Sequence, residues 1–253
     1  MKIMVCGKGG VGKSSISVLM AKVLVKKYRT YLIDSDESNV FLPKLLGTNP
    51  PCSLVEYLGG RKNISKKKEE IIINAFAEAG KGIILNDLPT DCVSTSSEGI
   101  KLITIGKIRN FSEGCACPLN YLIKILLKNL VLNKDEIVLV DTDAGIEHVG
   151  RGVEEGCDVI MIIIDPTAEA LALAKMLKET SEKLNKGLWV ILNKVTPQVE
   201  SFIEKKAEKE GIKIDGKIRF DENILFSCLE GKELNAKEAK LDVEEILKNL
   251  NLI

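Results

Sequence analysis

The chain has 253 residues, 45% of them hydrophobic, enough for one α/β domain with a sizeable core. Lys plus Arg balances Asp plus Glu at 36 each, which argues against nucleic acid or an anionic membrane as partner. An odd, mostly scattered set of seven cysteines does not form a disulfide framework. With no signal-peptide pattern and no apolar run near the ~18 residues of a membrane span, the expectation is a cytoplasmic protein with reduced thiols.

Lys2-Ile3-Met4-Val5-Cys6 fits a short buried strand, and Ile16, Leu19, Met20, Val23 and Leu24 recur at helical spacing behind it. Between them, Gly7 to Ser14 satisfies G-x-x-x-x-G-K-[ST], in the strand–loop–helix context that this motif requires. The glycines let backbone N–H groups close around phosphate oxygens, and the helix N-terminus offers its free N–H groups and positive dipole end to the same anion. Lys13 is expected on the β- and γ-phosphates and the Ser14 hydroxyl on Mg²⁺. Lys8 stands two places into the loop, before Gly9 and Gly10. The run Lys8-Gly9-Gly10-Val11-Gly12-Lys13-Ser14 resembles the deviant phosphate loop of the MinD/ParA-type ATPases. The resemblance implies a single P-loop ATPase domain over 1–253, ATP bound by Gly7, Lys8, Gly9, Gly10, Val11, Gly12, Lys13, Ser14 and Ser15, and a homodimer. In that dimer Lys8 reaches the ATP of the other subunit, adding cationic charge where phosphoryl transfer accumulates negative charge.

Arg29 to Asp34 reads as a second strand, running into Asp34-Ser35-Asp36-Glu37-Ser38. Ligands of α/β sheets lie beyond the carboxyl ends of the strands, so Asp34 and Asp36 are expected to face the nucleotide. The resemblance implies a first switch here, with Asp36 activating water and Asp34 supporting it or bound indirectly to Mg²⁺. Ser53 is expected to cap a short helix to Leu58, and Lys66 to Ala79 reads as a charged amphipathic helix. Gly82–Leu85 and Ile100–Ile105 are strand candidates, one of them antiparallel at a sheet edge. Cys52 and Cys92 are expected to be packing residues without a nearby partner.

Glu113-Gly114-Cys115-Ala116-Cys117-Pro118 places two thiols one residue apart, a spacing ill suited to a mutual disulfide but able to offer two thiolates to one soft metal ion. Pro118 suits the first helical position, which puts Cys117 at a helix N-terminus where the dipole favours the thiolate. Two thiolates half-fill a tetrahedral site, and a symmetric dimer would supply four. Together with Lys8, the pair resembles that of the CooC-type maturation ATPases of carbon monoxide dehydrogenase. The resemblance implies Ni²⁺ (or Zn²⁺) on Cys115 and Cys117 of both subunits, and that enzyme, or a related metalloenzyme, as client. The rival readings are a positioning or partition ATPase with structural cysteines, and an ATP-dependent iron–sulfur or electron carrier.

Glu136 to Asp141 reads as a buried strand ending in an acid, and Asp141 is expected to hold Mg²⁺ through water. Asp141-Thr142-Asp143-Ala144-Gly145 resembles the second switch of the family, in which Gly145 turns its N–H toward the γ-phosphate. Asp143 stands where that family has a small residue or proline. His148, the only histidine, reads as a hydrogen-bonded switch residue, with metal ligation as the alternative. Strands at 159–164 and 188–193 alternate with helices at 168–184 and 199–210, the pattern of a mostly parallel sheet covered on both faces. The resemblance implies adenine contacts from Asn193 and Lys194, and from the backbone around Phe220 and Asp221. The tail from Asp242 reads as a short helix docked on its own domain, since it lacks the basic face of a membrane-binding helix.

Overall fold

In a computed structural model of the protein, residues 1–78, 80–108, 117–144 and 152–253 are described. Eight strands form one sheet: β1 Lys2–Cys6, β2 Arg29–Asp34, β3 Val93–Thr95, β4 Lys101–Thr104, β5 Glu136–Asp141, β6 Val159–Ile164, β7 Gly187–Val195 and β8 Gly216–Arg219. Their spatial order is β3-β4-β2-β5-β1-β6-β7-β8. Each neighbouring pair is parallel except β3 with β4. The helices are α1 Lys13–Leu24, α2 Leu42–Leu46, α3 Leu54–Tyr57, α4 Arg61–Ile64, α5 Glu69–Asn74, α6 Cys117–Asn129, α7 Ala168–Lys183, α8 Pro197–Lys209, α9 Glu222–Glu230 and α10 Glu238–Asn249.

The sequence of β1 explains the two-sided burial. Ile3 and Val5 face the layer containing α1, α2 and α10, whereas Met4 and Cys6 face the layer containing α6, α7 and α8. Both sets are fully buried, as period-2 alternation demands of a central strand whose two faces are covered by helices. The same holds along β5 and β6, whose every residue is buried. Ser53 caps α3 as its sequence implies: its Oγ accepts from Glu56 N–H and the Glu56 carboxylate accepts from Ser53 N–H.

Four expectations need correction. Gly82–Leu85 is no strand; Ile83 makes one isolated bridge to Leu130, and the chain turns at once into a short 3₁₀ segment. The antiparallel edge is β3, only three residues long, too short to carry a readable alternation. The charged helix is confined to Glu69–Asn74, because Lys66–Lys68 presents no apolar side to bury. Cys52 and Cys92 do meet: Cys52 N–H donates to Asp91 O at 2.8 Å, and burial, chiefly, with the Cys52 thiol beside it, pushes the Cys92 thiol up to about 12.

Candidate functional site

β1 delivers the chain to Gly7, where φ is 144° and a Cβ would stand 2.3 Å from the Ile163 carbonyl oxygen of β6. Only glycine fits that approach. Gly12 closes the loop at φ 98°, and a Cβ there would stand 2.5 Å from Asn193 Nδ2. The far side of the loop is held by the end of β7: Asn193 Nδ2 donates to Val11 O and Lys194 Nζ to Gly10 O, both at 2.7 Å. Asn193, expected against adenine, therefore also fixes the loop, and its carbonyl oxygen remains as an acceptor. Lys13 opens α1 and is nearly buried, its ammonium 3.3 Å from the Lys8 carbonyl oxygen, a weak partner that a phosphate oxygen can replace. The Lys8 ammonium turns away to Glu169 at the start of α7, 2.7 Å distant. That carboxylate raises the pKa of Lys8, so the charge is secure.

Two acids end neighbouring strands. Asp34 and Asp141 are paired in register between β2 and β5, and both are completely buried. Burial raises the Asp34 carboxyl to about 7, against the pull of the Lys107 ammonium 2.6 Å away. Burial likewise raises Asp141 to about 6, opposed by Ser14 and Lys13 and reinforced by the charge of Asp36. Asp141 Oδ1 accepts from Ser17 Oγ at 3.2 Å, while Oδ2 has no hydrogen-bond partner among the described residues. Ser14 Oγ lies at the same rim and accepts from Asn39 Nδ2 at 2.9 Å. Two buried carboxylates and a hydroxyl, with an orphaned oxygen among them, are the hard donor set that suits Mg²⁺.

Asp36 is buried in the loop after β2. Its Oδ1 accepts from Ser38 N–H at 2.9 Å, Ser38 Oγ at 2.7 Å and Asn39 N–H at 3.1 Å. The turn it caps leads to α2, which begins at Leu42. Asp36 shares with Gly10, Lys13, Ser14, Asn39 and Asp143 a cavity of about 440 Å³. Asp143 Oδ1 accepts from Ala144 N–H at 2.6 Å. Of the two residues expected near adenine, Phe220 is half exposed, whereas Asp221 caps α9 and α10 by accepting from Asn223 N–H and Ala239 N–H.

Cys117 opens α6 and is exposed. It is disulfide-bonded, so the expectation of seven reduced thiols does not hold there, and metal would require a reduced pair. Cys115, Gly145 and His148 lie outside the described residues, and among the described residues no three His, Cys, Asp or Glu cluster as a metal site. No helix among them is long and apolar enough to cross a membrane. Sequence reasoning missed three residues of the site. Asn39 holds Ser14, Cys228 brings its thiol from α9 to 3.7 Å from Ser15 Oγ, and Lys107 meets Asp34. None belongs to a motif; only the placement of β4 beside β2 could have drawn attention to Lys107.

The CobQ/CobB/MinD/ParA nucleotide binding domain matches residues 2–234. An ATP-binding protein of Methanocaldococcus jannaschii is 47% identical over 98% of this chain and 99% of its own length. The carbon monoxide dehydrogenase accessory protein CooC of Rhodospirillum rubrum is 34% identical over 88% of this chain and 85% of its own. The fold superposes on the septum site-determining protein MinD of Pyrococcus horikoshii, complexed with Mg-ADP, with a TM-score of 0.70 and 14% identity, covering 99% of this chain and 95% of that one. The chain thus belongs to the CobQ/CobB/MinD/ParA nucleotide-binding family and is an ATPase of the MinD/ParA type, related to CooC.

Proposed function

We propose that this ATPase works as a homodimer whose nucleotide cycle makes and breaks a four-thiolate metal site, handing nickel to carbon monoxide dehydrogenase or a related metalloenzyme. The observation that carries the reading is Cys117, exposed at the start of α6, one residue from Cys115, on a phosphate-loop ATPase related to CooC. A helix N-terminus favours the thiolate that binds metal, and two chains supply the four ligands of a tetrahedral site. In the nucleotide site, Lys13 binds the β- and γ-phosphates, Ser14, Asp34 and Asp141 surround Mg²⁺, and Asp36 positions the attacking water. Asn193 offers its amide to adenine. Lys8 leaves Glu169 and reaches the nucleotide of the second subunit; an exposed pair such as Lys8–Glu169 opposes this little.

Sedimentation of reduced protein, with metal and a non-hydrolysable ATP analogue titrated separately, tests the reading. About one metal per two chains is expected from the shared tetrahedral site. Replacing both cysteines with Ser should abolish metal-induced dimerisation and leave ATP binding by the monomer intact. One metal per monomer, bound regardless of association, would overturn it.

A further inference from the structure

Beyond the end of β4 the chain continues alongside the loop that follows β2. Ile105 N–H donates to Asp34 O at 2.9 Å, and Ile108 N–H to Glu37 O at 3.0 Å. Between these bonds the Lys107 ammonium meets the Asp34 carboxylate at 2.6 Å, donates to Asp36 O at 2.5 Å and also reaches Asn39 O. One side chain thus grips three points of the segment that carries Asp34 and Asp36. The preceding residue, Gly106, faces the first turn of α6. A Cβ on Gly106 would stand 3.2 Å from Leu119 Cδ2, in the first turn of α6, and 2.8 Å from Val55 Cγ2 of α3. Ile105 O accepts from Val55 N–H at 2.9 Å, which pins the strip at that end.

We propose that residues 105–108 form a coupling strap, in which Lys107 is the positioning residue that ties the Asp34–Asn39 loop to the first turn of the cysteine helix, so that nucleotide occupancy sets the accessibility of Cys117. The proposal rests on the reading of Asp34–Asn39 as the nucleotide-responsive loop. The element with two states is Lys107 itself. A divalent cation held by Asp34 and Asp141 would compete with the Lys107 ammonium for one buried carboxylate, and like charges sharing a buried site repel. When the ammonium yields Asp34, the strap shifts against Leu119, where the absence of a side chain on Gly106 leaves tight contact and little slack to absorb it. Coupling of this kind is reciprocal, so metal held by the cysteines should in turn alter nucleotide affinity.

The test is the alkylation rate of Cys117 in reduced, metal-free protein, read by mass spectrometry of its peptide with and without MgATP analogue. The protein is diluted until sedimentation shows monomer, so that subunit contact does not hide the thiol. Wild type should change its rate roughly fivefold or more on saturation with nucleotide. Lys107→Met should respond less than about twofold, at nucleotide concentrations shown to saturate that variant by anisotropy of a fluorescent ATP analogue. Lys107→Arg, which keeps the charge and the donors, should restore much of the response. Gly106→Ala should weaken it from the other end of the strap. A Lys107→Met protein that binds nucleotide and keeps the wild-type response overturns the proposal, as does a wild type that shows none. Metal content is measured apart from this: a protein that responds in alkylation but holds no metal refutes metal delivery and upholds the strap.

Discussion

The phosphate loop and the acidic rim adjoin through Lys13, Ser14 and Ser17 but are built on opposite terms. In the loop, the backbone is fixed in shape before a nucleotide arrives, with its N–H groups left for the phosphates. Gly7 and Gly12 accept backbone shapes and approaches closed to other residues, and Asn193 and Lys194 hold two of its carbonyl oxygens. At the rim, two carboxylates are buried side by side with one ammonium and two hydroxyls, and Asp34 Oδ1 and Asp141 Oδ2 have no hydrogen-bond partner among the described residues. A preorganised loop gains affinity because little must be ordered on binding. An under-satisfied rim gains selectivity, since it is stabilised only by a ligand that brings positive charge. The first can be damaged by shape, the second by charge.

Substitutions separate the two kinds of contribution. The largest effect is expected at Asp36, the carboxylate proposed to position water. Asp36→Ala should slow hydrolysis by roughly 10²–10⁴-fold while still binding ATP and accumulating as a nucleotide-bound dimer. Unchanged turnover in a steady-state phosphate-release assay would remove Asp36 from that role. Lys13→Ala takes the charge from the loop and leaves its shape intact. With charge-assisted bonds contributing about 1.5–3 kcal/mol each, MgATP affinity should fall by roughly 100-fold, as measured by calorimetry. Near-normal affinity would show that the backbone N–H groups alone hold the phosphates. Gly7→Ala attacks shape without touching charge. Its Cβ would meet a backbone oxygen of β6, which cannot swing aside, so a stability loss of about 1–3 kcal/mol is expected in chemical denaturation.

The same division governs what the sequence discloses. The loop was legible because its glycines, Lys13 and Ser14 occur at consecutive, mechanically required positions, and because the strand and helix beside them have clear periods. The strands from β5 to β7 were legible for the same reason. Asp34 and Asp141 could be named from their places at strand ends, but their mutual contact needs β2 and β5 to be neighbours, which is a fact of topology. Lys107 was invisible. It follows β4 in a stretch of no motif, and it gains its partners only because β4 packs against β2. Asn193 was partly legible: its place after β7 was anticipated from resemblance, but its hold on Val11 depends on how closely β7 approaches the loop. The edge strand β3 and the Cys52–Cys92 contact escaped notice because short or long-range pairings leave no local pattern.

The smallest expected effect follows from the rim's unsatisfied charge, and its sign can be worked out. Asp34 rises from 3.8 to about 7 on folding and Asp141 from 3.8 to about 6, both chiefly through burial. A carboxyl raised in the folded state binds more protons there than in the unfolded chain. Its contribution to stability is therefore greatest below about pH 4, declines as pH rises through the folded value near 7, and is level beyond. Nucleotide-free protein should accordingly lose thermal midpoint between about pH 5 and pH 7 from these two groups. Mg²⁺ with nucleotide binds the ionised carboxylates of the folded state alone, so its stabilisation should grow over the same interval. Asp34→Asn should make the decline shallower throughout and end it near pH 6 instead of 7, leaving the share due to Asp141. Lys107→Met should do the reverse. Without the ammonium that lowers its pKa, Asp34 should titrate still higher and carry the decline past pH 7. Midpoints measured by differential scanning calorimetry across this range, with and without Mg²⁺-nucleotide, decide the matter. A wild-type decline that survives in Asp34→Asn unchanged would mean that the rim is not its source.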